Sequence, residues 1–293
     1  MILKETYTLA NGVEIPKLGL GTWMIPDGEA AQVVRDAVEA GYRHFDTAQA
    51  YANERGVGEG LRSSGLARDE VFLTTKLVAE CKSYAKAKAL IDGSLQTLGL
   101  DHIDLMLIHS PQPWAEFREG EHFFEGNLEA WRALEEAYEA GKLRAIGVSN
   151  FERADLDNLL DNGAVKPMVN QVLAHVGNTP FDLIDYSRSK GVLVEAYSPV
   201  AHGAALNNAD LAAMAGKYGV SIAQLCIRYC LELGLLPLPK TSKAAHMRDN
   251  AAVDFVISDA DMAALNGAKG DTDYGAANMF PVFGKKRQAE SAA

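Results

Sequence analysis

Ile103-Asp104-Leu105-Met106-Leu107-Ile108-His109 and Leu143-Arg144-Ala145-Ile146-Gly147-Val148-Ser149 are short, near-continuous apolar runs. Between them, 128–140 repeats apolar residues at helical spacing and stops at Gly141. Apolar strands of this kind suit a parallel sheet covered on both faces, and Gly just past a helix accepts the left-handed conformation that ends it. The pattern extends in both directions. The predicted strands are 18–22, 44–47, 71–76, 103–109, 143–149, 168–171, 192–197 and 235–240. Helical patterns fill the gaps at 28–40, 86–98, 128–140, 155–161, 182–190, 209–217 and 221–233, the last with Ser221 as a plausible N-cap. Ahead of them, 6–17 reads as a β-hairpin turning at Asn11-Gly12. Eight strands alternating with helices predict an α/β chain folded as a (β/α)₈ TIM barrel with an N-terminal β-hairpin and a C-terminal substrate-covering tail. No domain boundary is evident, so 1–293 reads as one domain.

The bulk composition agrees. The chain has 293 residues, 48% hydrophobic and 23% charged, which excludes a disordered or low-complexity protein. Its 28 basic and 39 acidic residues give a net charge of −11, a poor match to nucleic acid. The longest basic run is Lys285-Lys286-Arg287. Three cysteines, Cys81, Cys226 and Cys230, are too few for a disulfide framework and read as reduced core thiols. No apolar run reaches the length of a membrane span, and Met1-Ile2-Leu3-Lys4-Glu5 lacks the pattern of a signal peptide. The expectation is a cytoplasmic protein of enzyme size.

A TIM barrel carries its chemistry at the C-terminal ends of its strands. Polar residues close the apolar runs there: Asp46, Lys76, His109, Ser149 and Asn150, Asn170 and Gln171, Tyr197 and Ser198, and Lys240 and Thr241. Tyr51 follows Asp46 by five residues. Singly, each has a plain reading: a cap, a solvated lysine, a packed tyrosine, a core histidine. Their recurrence at matching positions of successive units weakens those readings together. A buried Lys76 paired with Asp46 would stay charged, and its field would lower the Tyr51 phenol from about 10 towards neutrality. Tyr51 could then act as a general acid on a carbonyl oxygen that His109 orients. This set supplies no electron pair, so a cofactor has to bring a hydride.

These residues also resemble a known family, the aldo-keto reductases, in particular its bacterial-type members. Gly41-Tyr42-Arg43-His44-Phe45-Asp46-Thr47-Ala48, with Tyr51, Glu54 and Gly58, is similar to the family's first signature. Lys142 to Phe151 is similar to the second, and Leu238-Pro239-Lys240-Thr241 through Asp249-Asn250 to the third. The resemblance implies an NAD(P)H-dependent carbonyl reductase acting on small aldehydes, dicarbonyls, keto-sugars or keto-acids. It implies Tyr51 as proton donor, Asp46 and Lys76 as the pair that tunes it, and His109 as the substrate-orienting residue. Ser149, Asn150 and Gln171 would hold the nicotinamide carboxamide, and Tyr197 would stack on the ring. Thr22 and Asp46 would line the cofactor site, Ser198, Val200 and Leu206 would follow the pyrophosphate, and Lys240, Thr241, Ser242, Lys243, His246 and Asn250 would take the adenosine end. The partner implied is a small-molecule carbonyl, with no nucleic acid and no membrane, and the family is commonly monomeric.

Some positions depart from the family pattern. His109-Ser110-Pro111 replaces the usual His-Trp-Pro, which leaves Trp114 to supply the substrate wall. Trp23, Tyr51, His109 and Trp114 are expected to form the pocket floor, with Met279, Phe280 and Phe283 of the tail as an apolar lid. His246 stands where the family usually has an arginine. A neutral imidazole recognises phosphate less well, so NADP(H) is expected with NAD(H) competitive. Gly56-Val57-Gly58-Glu59-Gly60 imitates a dinucleotide fingerprint, but its third glycine comes one position early and no strand leads directly into it, so it reads as a closely packed helix. A metal-dependent hydrolase using His44, Asp46 and His109 would leave Tyr51 idle and put an ammonium beside the metal. The alternative is a non-catalytic NADPH-binding or sensing module, against which the four intact catalytic positions argue.

Overall fold

The computed structural model describes residues 1–269 and 273–284. A short antiparallel hairpin, β1 (Thr6–Thr8) and β2 (Glu14–Pro16), precedes eight strands: β3 (Leu20–Gly21), β4 (His44–Asp46), β5 (Phe72–Leu77), β6 (Ile103–Ile108), β7 (Leu143–Ser149), β8 (Val169–Leu173), β9 (Leu193–Tyr197) and β10 (Leu236–Leu238). They lie in sequence order, each parallel to the next. The first and last strands meet through Gly19 N to Pro237 O (3.2 Å) and Gly21 N to Pro239 O (3.0 Å), which closes the barrel. The two seam strands are shorter than expected because Pro237 and Pro239 have no N–H to give the ladder. A Cβ on Gly19 would sit 2.6 Å from Leu238 and 2.7 Å from the His44 ring, so only glycine lets the seam come together.

The helices are α1 (Asp27–Glu39), α2 (Glu54–Arg62), α3 (Tyr84–Leu98), α4 (Phe124–Glu139), α5 (Arg153–Asn162), α6 (Phe181–Ser189), α7 (Ala209–Tyr218), α8 (Ile222–Glu232), α9 (Ala244–Ala251) and α10 (Asp259–Asn266). Ser221 caps α8 in a reciprocal box with Gln224. Helices α9 and α10 are additions to the sequence reading: both are short, and neither has a strong apolar stripe. Every residue of β5 and β6 is buried, as strands covered on both faces require. Trp131 of α4 is fully buried, with its Nε1 donating to Val165 O at 2.9 Å; burial of a large apolar side chain contributes ~1.5–3 kcal/mol.

The Gly56–Gly60 run lies inside α2, where it lets neighbouring backbones approach. A Cβ would come within 2.1 Å of Asp27 O at Gly56, 2.1 Å of Leu98 O at Gly58 and 2.8 Å of Ala31 O at Gly60. Those atoms belong to α1 and α3, so the glycines serve helix packing.

The hairpin corrects one detail of the sequence reading. Its register pairs Thr8 with Glu14, and Leu9 N donates to Val13 O, so the turn spans three residues. The Asn11 side chain ties this turn to the barrel, because its Nδ2 donates to Arg144 O at 2.9 Å. The hairpin covers the N-terminal end of the barrel, where Tyr7 donates to Leu235 O. The opposite end is left open. The basic run at 285–287 lies outside the described residues.

Candidate active site

The polar strand ends converge at the open end. Asp46 ends β4, Lys76 is the fifth residue of β5, His109 directly follows β6, and Tyr51 closes a 3₁₀ turn (Gln49–Tyr51) after β4. The Lys76 ammonium is completely buried and uses three acceptors: Asp46 Oδ1 at 2.5 Å, Thr47 O at 3.0 Å and the Tyr51 hydroxyl at 3.2 Å. An ammonium has three donors and accepts nothing. The Tyr51 oxygen therefore accepts a hydrogen bond from Lys76, and its own hydrogen has no acceptor among the described residues.

Burial of Lys76 opposes its charge, but Asp46 and Tyr51 outweigh burial and raise its pKa. The expected lowering of Tyr51 is overturned. Burial raises the phenol above its ordinary value, and the opposing pull of Lys76 is smaller. Tyr51 is thus held as a protonated phenol, with a cation beside it to stabilise the phenolate once the proton leaves. His109 is pushed well below 6.5, by burial first and by the Lys76 charge second. Its ring is neutral, and Nδ1 is buried without a partner among the described residues. The Tyr51 and His109 rings meet edge to face at 5.6 Å, and His109 meets Trp114 at 5.1 Å. Trp114 thus packs against His109, beside Tyr51.

A cleft of about 820 Å³ opens over this cluster. Its lining includes Asp46, Tyr51, His109, Ser149, Asn150, Gln171 and Tyr197, together with Ser198, Val200 and Leu206 and with Lys240, Thr241, His246 and Asn250. Ser242 and Lys243 are exposed and outside the cleft lining, and Thr22 is buried behind it, its hydroxyl donating to Asp46 O at 2.9 Å. Trp23 lines the cleft on the tail side, against Phe280 (4.9 Å), Phe283 (5.8 Å) and His202 (5.2 Å), apart from the other three expected floor residues. Phe280 and Phe283 do cover part of the cleft, whereas Met279 is 79% exposed and takes no part.

The three residues expected to hold a carboxamide differ in what they have left to offer. Asn150 gives both amide protons to His109 O and Ser149 Oγ (3.1 Å each) and accepts from the Tyr197 hydroxyl at 2.8 Å. Ser149 donates to Gln171 O. Gln171 alone keeps a polar side-chain atom, Oε1, with no hydrogen bond among the described residues. Sequence reading missed Glu195, Asp249 and His202. Glu195, a carboxyl inside an apolar strand, was a legible signal. Asp249, which falls within the third signature but was given no role, lines the cleft from the last turn of α9. His202 depends on an irregular turn with positive φ at Ala201, His202 and Gly203.

An aromatic side chain at Tyr197, a free amide acceptor at Gln171, the neutral His109 imidazole and Lys240 in one cleft lining fit a nicotinamide nucleotide. The His44–Asp46–His109 metal reading finds no support, since His44 hydrogen-bonds Thr74 at 3.0 Å and no metal-binding group of three is found among the described residues.

Comparison with known proteins agrees. The model of the Aldo/keto reductase family matches residues 17–269. A glyoxal reductase of Bacillus subtilis (strain 168) is 41% identical over 275 residues, covering 93% of this chain and 96% of that protein. A 9,11-endoperoxide prostaglandin H2 reductase of Trypanosoma cruzi is 40% identical, covering 94% and 95%. Among solved structures, a Bombyx mori aldo-keto reductase in complex with NADP superposes with a TM-score of 0.81 at 32% identity, over 89% of this chain and 92% of that one.

Proposed function

The chain belongs to the aldo/keto reductase family and is an NAD(P)H-dependent carbonyl reductase on a (β/α)₈ barrel, and from that premise we propose that Asp46, Tyr51, Lys76 and His109 are its catalytic residues. The observation that carries this is the Lys76 contact to Tyr51, which leaves the phenolic proton available to the cleft. When bound, the cofactor supplies the hydride. Tyr51 passes its proton to the substrate oxygen, Lys76 stabilises the phenolate that results, and Asp46 keeps Lys76 charged in a dry site. His109, neutral, offers one N–H to the same oxygen and sets its direction. The product is an alcohol, so the reaction belongs with the alcohol dehydrogenases run in reverse.

Ser149, Asn150 and Gln171 are proposed to face the carboxamide, Tyr197 the ring, Ser198, Val200 and Leu206 the pyrophosphate, and Lys240, Thr241, His246 and Asn250 the adenosine. NADP(H) is the proposed physiological cofactor, with NAD(H) competitive because the exposed imidazole of His246 replaces an arginine. The aromatic surround of Trp114, Tyr51 and His109 suits small aldehydes and dicarbonyls, and the name of the Bacillus relative points to glyoxal-like substrates.

The whole chain, 1–293, is proposed to work as one domain and as a cytoplasmic monomer without nucleic-acid partners. Three free, buried cysteines support a reducing compartment. Among the described residues, the large exposed apolar side chains include Met1, Met24, Phe124, Phe181, Leu206, Val256 and Met279, which are scattered along the chain. No helix among the described residues is long and apolar enough to cross a membrane. The catalytic cluster favours turnover over a sensing module. The test is oxidation of NADPH and of NADH with a panel of aldehydes, dicarbonyls and keto-sugars; cofactor binding without oxidation on any of them would favour the sensing module.

A further inference from the structure

Glu195 lies in the middle of β9, two residues before Tyr197, and shares its face of the strand. It is fully buried. Its Oε2 accepts a hydrogen bond from Gln171 Nε2 at 2.7 Å, and the same nitrogen donates to Asp46 Oδ2 at 2.8 Å. Glu195 Oε1 has no partner among the described residues. The Gln171 amide is thus held between two carboxyl groups. Asp46, ion-paired with Lys76, can only accept, so the atom facing it has to be the NH₂ group. Both amide protons are used there, and the carbonyl oxygen is what remains for the cleft. Asp46 fixes which end of the amide faces it; Glu195 takes the second amide proton and so fixes the plane of the amide and the direction of its carbonyl oxygen.

We infer that Glu195 is a positioning residue: together with Asp46 it locks the Gln171 amide so that the carbonyl oxygen, an acceptor, is offered to the carboxamide N–H of a bound nicotinamide. The inference rests on the cofactor reading above. A carboxamide carries a donor and an acceptor side by side, so an acceptor of fixed orientation distinguishes one seating of the ring from its flipped counterpart.

The same carboxyl has a second consequence. Burial and the Asp46 charge raise Glu195 to about 8, against the smaller pulls of Gln171 and Lys76. Asp46 and Lys76 are the charged groups that act on it. Near neutrality it is an uncharged acid; at higher pH it becomes an anion in a dry interior. An anion there favours the cationic oxidised nicotinamide over the neutral reduced one. The affinity for NADP⁺ relative to NADPH therefore rises with pH through that range.

Fluorescence titration of NADPH and NADP⁺ onto the wild type, Glu195→Gln and Glu195→Leu, from pH 6.5 to 9.5, tests this. In the wild type the affinity ratio shifts towards NADP⁺ by about fivefold across the range. Glu195→Gln keeps an acceptor for Gln171 but cannot ionise, so its ratio stays flat. Glu195→Leu removes the acceptor and weakens NADPH by about tenfold, more than Glu195→Gln does. A folded Glu195→Leu that binds NADPH as tightly as the wild type would overturn the positioning assignment; a flat wild-type ratio, or a wild-type shift retained in Glu195→Gln, would overturn its pH consequence. If Glu195→Leu does not fold, Glu195→Ala, read against the same NADPH affinity, takes its place. A wild type that binds neither nucleotide would overturn the cofactor reading itself, and this inference with it.

Discussion

Lys76 Nζ donates a hydrogen bond to the Tyr51 hydroxyl oxygen at 3.2 Å. In the proposed mechanism this contact sets the direction of proton flow, because the oxygen that accepts from Lys76 has its own hydrogen free for the cleft. Burial, which raises the phenol above its ordinary value, keeps it protonated, and the ammonium is placed to stabilise the anion.

Lys76→Met removes that cation and leaves Asp46 in the interior without its ion pair. Proton delivery by a positioned acid contributes ~10²–10⁴-fold, so kcat should fall within that range. Breaking a buried pair from one side costs about 3–5 kcal/mol, so denaturant unfolding should shift by a similar amount. A variant as stable as the wild type would mean that Asp46 finds another partner.

The neutral His109 makes a pH prediction. Its pKa lies well below 6.5, so kcat/KM for reduction should stay level from pH 7.5 down to 5.5. An acid limb with a midpoint near 6.5 would contradict the buried, neutral ring. Stability behaves differently. His44, lowered to about 3 chiefly by burial, and His109 both bind fewer protons folded than unfolded. Their depressed values cost nothing above about 6.5 but lower stability progressively as pH falls beneath it, by ~1.4 kcal/mol per unit for each ring. Unfolding free energies measured from pH 7 to 5 check the sign.

Gly58 separates the packing role of the glycine run from a phosphate-binding one. A Cβ at this position would lie 2.1 Å from Leu98 O. Gly58→Ala should destabilise by about 1–3 kcal/mol through overpacking while NADPH affinity in the folded protein stays unchanged. Loss of cofactor affinity without loss of stability would restore the phosphate-loop reading.

His246→Arg should improve NADPH affinity more than NADH affinity, because a guanidinium binds a phosphate with fixed, forked donors. Titration of both nucleotides reads the difference. Equal changes would place His246 away from the 2′-phosphate.

The barrel was legible because its strands are mostly apolar runs and several of its helices are followed by glycines such as Gly41, Gly141 and Gly191, all with positive φ. The candidate catalytic positions could be proposed from sequence because the fold brings every strand's C-terminal end to one mouth. The sense of the Tyr51 shift was not. A one-dimensional reading registers the Lys76 charge nearby, but the depth of burial that outweighs it is a property of the packed site. Glu195 was passed over because attention to strand ends skips a carboxyl in mid-strand, and its role depends on a contact to Gln171, its register partner on the neighbouring strand β8, 24 residues away in sequence. Helices α9 and α10 and the turn at 201–207 depend on tertiary packing rather than on periodicity.

The most direct test of the account is NADPH oxidation by the wild type and Tyr51→Phe with a small dicarbonyl such as glyoxal, alongside NADPH binding by fluorescence. The account predicts turnover in the wild type, loss of reduction by ~10²-fold or more in Tyr51→Phe, and nearly unchanged cofactor affinity. Substantial turnover by Tyr51→Phe would contradict it and remove Tyr51 as the proton donor.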